Sequence, residues 1–259
     1  MTQTLKNIFI NHNHISRNRI AILFVVFQSF LLTVNCQSQY NNTGIIALQD
    51  STQKVYGASD LLMNGPVFYE SHRLAKGTPY LISSTFNKGT VYIEGKTFKN
   101  VDLNYDIADQ QLIIIYTAAT GSRLYISMSD ILIDSFLIND YLFFNPTKLN
   151  LSSNYAYMQS LNTGRYTLLI GYSKEFINRY NEDEPFGKYS QSQRSLFIAT
   201  DSTLISINTN KELFNLFPSL KKEAATYLRK NKIVLKKATT SQLTQLIEFY
   251  NQQLTNTNE

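Results

Sequence analysis

The chain has 259 residues, of which 17% are charged and 13% aromatic, so the composition predicts an ordered protein with a sizeable core and excludes a largely disordered one. Tyrosine, phenylalanine and β-branched residues are abundant, and this balance favours strands. The formal net charge of +5 comes without any nucleic-acid-reading motif, so we expect no nucleic-acid partner.

The first predicted element is an export leader, a signal peptide over residues 1–36. An apolar run of 15 residues, 20–34, follows a basic region and precedes polar residues, which is the layout of a secretory signal. The run is short for a membrane-spanning helix. We expect cleavage after Cys36. The alternatives are an uncleaved anchor and lipidation of Cys36, although Thr33 and Asn35 fit the lipidation motif poorly.

Removal of the predicted leader changes the net charge and the cysteine content of the chain. Export predicts a location in the periplasm, at the periphery of the outer membrane or outside the cell. The residues after Cys36 comprise 21 basic and 19 acidic side chains, a net charge of only +2. Because Cys36 is the only cysteine, we expect no disulfide to stabilise the fold.

Residues 37–60 are polar and predict a flexible tether, and residues 61–208 predict an antiparallel β domain. Short runs of alternating apolar and polar residues are broken by turn residues about every 8–12 positions, which is typical of successive antiparallel strands. The predicted strands are 67–71, 80–83, 89–94, 96–106, 111–117, 123–128, 131–138, 141–144, 155–161, 165–174, 195–199 and 203–207.

The strand predicted over 96–106 has the clearest alternation. Its inward side chains are Val101, Leu103 and Tyr105, and its outward, solvated ones are Asp102, Asn104 and Asp106. Phe98 is out of phase with the inward set, which predicts a β-bulge near Asn100. A tight turn is expected at Gly95-Lys96. Residues 112–116 are apolar on both faces and predict a central, covered strand.

Residues 209–259 change to a helical period and predict a C-terminal helical segment. Thr209 with Glu212 and Thr239 with Gln242 form two capping boxes. Pro218 should end one helix and begin the next, Asn231 should cap the second, and residues 232–235 predict a short strand. The last helix carries an apolar stripe of Leu243, Leu246, Ile247, Tyr250 and Leu254.

These elements predict an α+β fold with an antiparallel strand-rich body, sandwich-like or open-barrel-like, on which the C-terminal helical segment packs. An outer-membrane barrel is the main structural rival. The predicted strands are mostly shorter than the nine to eleven residues that cross a bilayer, and this argues against the rival.

Two blocks of sequence carry a resemblance. One is GTVYIEGKTF, residues 89–98, continuing through VDLNYD at 101–106 to Leu112; the other runs from Leu213-Phe214 through Phe217-Pro218 and YLRKNKI at 227–233 to EFY at 248–250. Together with the leader they resemble a group of secreted or envelope proteins of Bacteroidota without an assigned activity. The resemblance implies export and a β-rich body followed by helices, and it implies no catalytic residue.

Few residues suit catalysis or metal binding. His72 is the only histidine after the leader, and it lies in a polar loop without a nucleophile motif, so we expect a solvated loop residue and no catalytic triad. One histidine and no thiol pair cannot supply a zinc site. No glycine-rich phosphate loop and no EF-hand pattern occur, although residues 182–184 are acidic. We therefore expect no cofactor and no metal.

Paired carboxylates leave one enzymatic alternative open. Asp102 and Asp106 share a strand face near Asp109, and Asp130 and Asp134 lie at another strand edge. A carboxylate-dependent glycan hydrolase needs two such groups about 5–10 Å apart. Solvated strand and turn residues are the competing interpretation, and we favour it.

Two sets of side chains are candidates for binding. Tyrosines can line a ligand groove, or pack in the core and across strands. Basic residues can contact an anionic lipid or glycan surface, or form the solvated side of a helix. The tyrosines are Tyr155, Tyr157, Tyr166 and Tyr172, and the basic residues are Lys221, Lys222, Arg229 and Lys230.

The sequence therefore predicts an exported, non-catalytic binding or interaction protein of the periplasm or cell envelope. Its expected partner is an envelope protein or glycan. The alternatives are the glycan hydrolase and a structural protein with peripheral contact to the outer membrane.

Overall fold

A computed structural model describes residues 60–118, 120–200 and 203–256 of the chain. The predicted leader, nearly all of the predicted tether and the turn residues Asp201 and Ser202 lie outside the described residues. The strands are β1 Asn87–Ile93, β2 Lys96–Asp106, β3 Gln111–Thr117, β4 Arg123–Ser127, β5 Ile133–Ile138, β6 Tyr141–Phe144, β7 Met158–Ser160, β8 Thr167–Ser173, β9 Phe176–Ile177, β10 Lys188–Tyr189, β11 Gln193–Ala199 and β12 Leu204–Ser206. The α-helices are α1 Asp60–Met63, α2 Asn210–Leu216, α3 Lys221–Lys230 and α4 Thr240–Asn256.

Ten strands form one antiparallel sheet in the order β12-β11-β8-β7-β6-β5-β1-β2-β3-β4, and β9 and β10 form a separate pair. Most neighbours are consecutive hairpins. The exceptions are β1 with β5 and β8 with β11, which pair although other strands lie between them in the chain. The helices follow the sheet in the chain, so the predicted α+β class, with its strand-rich body and C-terminal helices, is confirmed.

Local chemistry explains the longest hairpin. Glu94 and Gly95 form the two-residue turn between β1 and β2, with φ of 48° and 74°. Positive φ at both positions is what a type I′ turn requires, and glycine adopts it at low cost. The expected turn therefore occurs one residue earlier than predicted. The bulge near Asn100 is confirmed, since the β1–β2 register shifts there and Asn100 has φ of 58°.

The sheet is strongly curved. Five strand spacings separate β2 from β8, which is about 24 Å along a flat sheet. The backbone nevertheless joins them, because Lys174 N–H donates to the Ile107 carbonyl at 3.2 Å, just beyond the ends of β8 and β2. A bulge on each side of β1 assists the bending. Of the two predicted arrangements, this is a curved open sheet and not a sandwich of two sheets.

Curvature encloses an aromatic core, which we define as Tyr105, Phe136, Phe143 and Tyr157. The ring of Tyr105 meets the other three edge-on, at centroid distances of 5.4–5.6 Å. Phe136 and Phe143 are cross-strand partners and stack at 4.9 Å. All four side chains are fully buried among aliphatic residues of β1–β5. Strands that are distant in the sheet thus pack through one cluster of rings.

The face of β2 that the alternation assigns to solvent is covered instead. Asn104 and Asp106 are buried, so the prediction of a solvated face is wrong for both. Residues 66–86 cover them, pairing with the sheet at single bridges, Val67 to Ile126 of β4 and Tyr80 to Asp106 of β2. The predicted strands 67–71 and 80–83 are absent because this segment crosses the sheet and does not run along it.

The helices cover the other half of the same sheet. We define the helical core as the apolar side chains of β8 and β11 together with those of α2, α3 and α4 that pack on them. Both capping boxes form as predicted. The predicted short strand at 232–235 is wrong. Lys232 has φ of 53° and Leu235–Lys237 is a 3₁₀ helix, whose carbonyls accept hydrogen bonds from Arg194 Nη2.

Among the described residues, no helix combines the length and the apolar character needed to cross a membrane.

Candidate functional site

A cavity of about 770 Å³, which we call the outer cavity, lies on the outer face of β2, β3 and β4. That volume is within the roughly 300–1,000 Å³ typical of small-molecule sites. Its walls come from the sheet and from the crossing segment 66–86. The aromatic residues that line it are Phe68, Tyr69, Tyr80, Phe86 and Tyr125, and the charged ones are Glu70, Arg73, Asp102 and Arg123.

Backbone hydrogen bonds anchor the crossing segment at both ends. At the first end, Phe68 N–H donates to the Tyr125 carbonyl at 2.7 Å, and Ser127 N–H donates to the Pro66 carbonyl at 3.0 Å. At the second end, Leu81 N–H donates to the Tyr105 carbonyl at 3.0 Å. The residues between these anchors run across the sheet from β4 to β2. The cavity lies between this segment and the sheet.

Two polar side chains also hold the second end of the crossing segment through its backbone carbonyls. Asn104 Nδ2 donates to the carbonyls of Ser83 and Thr85 at 2.8 and 3.2 Å. Lys174 Nζ donates to the carbonyls of Thr78 and Tyr80 at 2.8 and 2.6 Å. Burial lowers the pKa of Lys174, against an opposing effect of Asp106. These contacts explain why polar residues occupy buried positions beneath the segment.

Aromatic rings form one wall of the outer cavity. Phe86 meets Tyr80 edge-on at 6.1 Å and Tyr125 at 5.4 Å, so the three rings brace one another. Tyr69 is 81% exposed and Tyr125 is also accessible. Burial raises the pKa of Tyr80 well above its usual value, so its hydroxyl stays protonated. The wall therefore presents neutral rings with a few hydroxyl groups.

The charges of the outer cavity are unevenly paired. Asp102 forms an ion pair with Lys88 at 2.8 Å. In the part of the chain that the structure describes, neither Arg73 nor Arg123 has a carboxylate within 4.0 Å, and both residues are exposed. Two guanidinium groups are thus free to bind an external partner in a cavity that has aromatic walls.

The loop next to Arg73 is tied to β9 and β10. The imidazole of His72 stacks on Phe176 with ring centroids 3.5 Å apart. Glu184 accepts from Lys188 at 2.9 Å and from Lys76 at 3.5 Å, and these hydrogen bonds and charges, led by Lys188, lower its pKa. No described hydroxyl is hydrogen-bonded to the His72 ring, which is exposed as the sequence predicts.

The four predicted groove tyrosines are distributed over different clusters, and none of them lines the outer cavity. The Tyr155 hydroxyl donates to Ser195 Oγ at 3.0 Å, and the ring packs with Phe197 on the far face. Tyr157 is 0% exposed in the aromatic core. Tyr166 meets Phe217 of the helical core edge-on. Tyr172 packs against both cores. Ligand contact by these residues stays a prediction.

The predicted basic residues form an accessible surface. Lys221, Lys222, Arg229 and Lys230 are all exposed on α3, while Ala224 and Leu228 of the same helix are buried. None of the four has an ion pair within the described residues. Their contact with an anionic surface stays a prediction.

The carboxylates proposed for hydrolysis have structural partners. Asp102 is paired with Lys88, and Asp106 accepts hydrogen bonds from Ala108 and Asp109 N–H at 2.9 Å each, which fixes the turn after β2. Burial raises the pKa of Asp106. Asp134 accepts from Gly95 N–H at 3.0 Å. Within residues 60–118, 120–200 and 203–256, no cluster of three or more His, Cys, Asp or Glu could hold a metal ion.

Strand patterns could not reveal the outer cavity, because residues 66–86 lack strand or helix periodicity. The available signal was composition: Phe68, Tyr69, Tyr80 and Phe86 occur with Arg73 in this one segment. Aromatic rings combined with guanidinium groups are suited to recognition. Comparison of the chain with protein-family models, curated proteins and solved structures finds no match.

Proposed function

We propose that the protein is an exported, non-catalytic binding protein of the cell envelope, and that its outer cavity holds an acidic glycan. The observation that carries this proposal is the pair of unpaired guanidinium groups, Arg73 and Arg123, in a cavity walled by aromatic rings. Export is supported by the signal-like pattern of residues 1–36. We further propose a relationship to the Bacteroidota envelope proteins that the two sequence blocks resemble.

Each part of an acidic sugar has a counterpart in the cavity. A guanidinium group recognises a carboxylate through two parallel hydrogen bonds, and such charge-assisted bonds are stronger than neutral ones. The exposed faces of Tyr69 and Tyr125 can cover the apolar face of a sugar ring. A glycan repeats both features along its length, which favours it over a peptide as the occupant.

The hydrolase alternative has less support. Hydrolysis needs one protonated and one free carboxyl group on either side of the scissile bond. Asp102 lines the cavity but is paired with Lys88, and Asp106 is buried beneath the crossing segment, which leaves Glu70 as the one lining carboxylate without an ion pair in the described residues. We therefore propose binding without turnover.

The test uses calorimetric titration of the purified protein with oligogalacturonate and with a neutral maltooligosaccharide of equal length. We expect oligogalacturonate alone to bind, and Arg73→Gln and Arg123→Gln each to weaken it about tenfold to a hundredfold, as expected for loss of a charged hydrogen bond. Lys99→Gln, an exposed cation on β2 outside the cavity, is the matched control and should leave the affinity unchanged.

Three outcomes contradict this proposal. One is an affinity that does not depend on either arginine. Another is equal binding of the neutral oligosaccharide, which removes the role assigned to charge. The third is release of new reducing ends, which shows catalysis. Binding of an acidic peptide in place of both oligosaccharides would assign the cavity to a protein partner.

The second candidate function is peripheral contact with an anionic membrane through Lys221, Lys222, Arg229 and Lys230. The observation that favours it is Val234, which is 59% exposed close to this basic helix and could enter the headgroup region. Lys221→Glu with Lys222→Glu should reduce sedimentation with phosphatidylglycerol vesicles about tenfold or more. The same reversal at Lys96 and Lys99 should have no effect; equal losses from both pairs would show non-specific attraction.

A further inference from the structure

A second cavity lies where the two apolar cores meet, and we call it the seam cavity. It has a volume of about 740 Å³ and is formed by the β5–β6 turn, by β7 and by the first turns of α4. Tyr172, which packs against both the aromatic core and the helical core, marks this position on the sheet. Unlike the outer cavity, its lining is almost entirely polar and uncharged, and the two cavities share no residue.

Gln159 supplies the feature that points to a ligand. Its side chain lines the seam cavity although the residue is only 3% exposed. Gln159 Oε1 accepts a hydrogen bond from the Tyr172 hydroxyl at 2.6 Å. Burial raises the pKa of Tyr172 to about 12, so the hydroxyl keeps the proton that it donates here. With Oε1 on Tyr172, Nε2 lies on the other side of the amide.

The Nε2 group of Gln159 has no hydrogen-bond partner among the described residues. Only two unpartnered side-chain atoms there are fully enclosed, the hydroxyl oxygens of Tyr157 and Tyr250. Since Gln159 Nε2 is not one of them, it retains access to the cavity that the residue lines. A donor that faces the cavity without a protein partner is available to an acceptor group of a ligand.

The other lining groups complement that donor. Ser160 Oγ donates to the Asn162 carbonyl at 2.9 Å, and Thr244 Oγ1 donates to the Thr240 carbonyl at 3.1 Å. Because their protons are used within the protein, both hydroxyl oxygens present lone pairs to the cavity. Asp140 adds an acceptor on the exposed β5–β6 turn. A ligand here must both accept from the amide and donate to several oxygens.

Tyr141 adds a ring at the edge of the cavity and is 37% exposed. Among the lining residues, Asp140 carries the only formal charge, which disfavours an anion. We propose that the seam cavity binds a neutral sugar ring, with its hydroxyl groups on Gln159, Ser160, Thr244 and Asp140 and its apolar face against Tyr141. This site is separate from the outer cavity and does not depend on the function proposed for that cavity.

The test follows the side-chain amide of Gln159 by nitrogen-15 NMR, with the resonance assigned by its absence in Gln159→Met. The probes are the methyl glycosides of glucose, galactose, mannose and N-acetylglucosamine at millimolar concentration. We expect at least one glycoside to shift this amide saturably and to receive saturation transfer from Tyr141. The side-chain amide of Gln193, exposed on β11, should not move.

Two variants keep the test independent of folding defects. Thr244→Val removes an acceptor at nearly constant volume, and Asp140→Ala changes an exposed turn residue. Thr244→Val should weaken glycoside binding about twofold to tenfold, the effect of one neutral hydrogen bond, and Asp140→Ala at least as much, because its hydrogen bond is to a carboxylate. Asp183→Ala, at another exposed loop carboxylate, and Arg73→Gln in the outer cavity should both leave the affinity unchanged.

The proposal is overturned if none of the four glycosides moves the Gln159 amide, because the unpartnered donor then binds only water. It is equally overturned if affinity is unchanged in both Thr244→Val and Asp140→Ala. Tighter binding of galacturonate than of galactose would reverse the charge preference and also reject the site as described.

Discussion

The two halves of the sheet bury their apolar residues in different ways. In the β1–β6 half, the sheet curves over its own aromatic core, so Tyr105 contacts Tyr157 across 52 positions of sequence. In the β8–β11 half, the sheet needs helices, and α2, α3 and α4 supply the facing surface. Both cores lie on one sheet and Tyr172 contacts each of them. One sheet thus has its face covered in two ways, by its own curvature in one half and by docked helices in the other.

The largest expected effect comes from removing a ring that only curvature brings into place. Phe136→Ala deletes a fully buried partner of Tyr105, Phe143 and Tyr157. It should lower the free energy of unfolding by about 3–5 kcal/mol. Urea denaturation, followed by the near-ultraviolet dichroism of the tyrosines and by far-ultraviolet dichroism, measures the loss.

The matched change in the helical core is Leu246→Ala, for which we expect a loss of about 2–4 kcal/mol. Because Tyr172 joins the two cores, tyrosine and helix signals should follow one transition in both variants. Loss of the helix signal at lower urea than the tyrosine signal would show that the two halves unfold separately.

A smaller, pH-dependent effect on the free energy of unfolding is expected at Asp106, at the end of β2. Burial raises the folded-state pKa of Asp106 above its unfolded value, so the folded state binds the proton more tightly. This group therefore lowers stability progressively as pH rises above about 3.9, the unfolded value. Asp106→Asn keeps an acceptor for Ala108 and Asp109 without the charge.

The variant should consequently gain stability relative to wild type at pH 7, by less than either core substitution costs. The gain should shrink as pH falls towards 4. Asp109→Asn, at an exposed carboxylate of the same turn, is the control. A difference between Asp106→Asn and wild type that is constant with pH would mean that the Asp106 charge has no part in it.

Local patterns predicted much of the secondary structure. The bounds of β2 and β3 match the alternation, Thr209 and Glu212 form the expected capping box, and the bulge occurs at Asn100. Each of these features depends on residues close in sequence. The covered strand β3 was also expected, although it lies second from the sheet edge and not at the centre.

Features that depend on residues far apart in sequence were not predicted. Asn104 alternates like a solvated residue, yet it is buried because carbonyls some 20 positions earlier satisfy its amide. Nothing near Ile107 indicates that Lys174 will lie beside it. Both cavities arise in the same way, since residues 66–86 and α4 are brought to the sheet by tertiary packing. Gln159 carried no sequence signal, because an unpartnered amide is visible only in three dimensions.

The position of β1 has a consequence for how the chain acquires its structure. Its hairpin with β2 can form as soon as both segments are available, but its other edge stays open until β5 arrives. An open edge invites pairing with foreign strands during that interval. The risk of such pairing at this edge ends once residues 133–138 pair with β1.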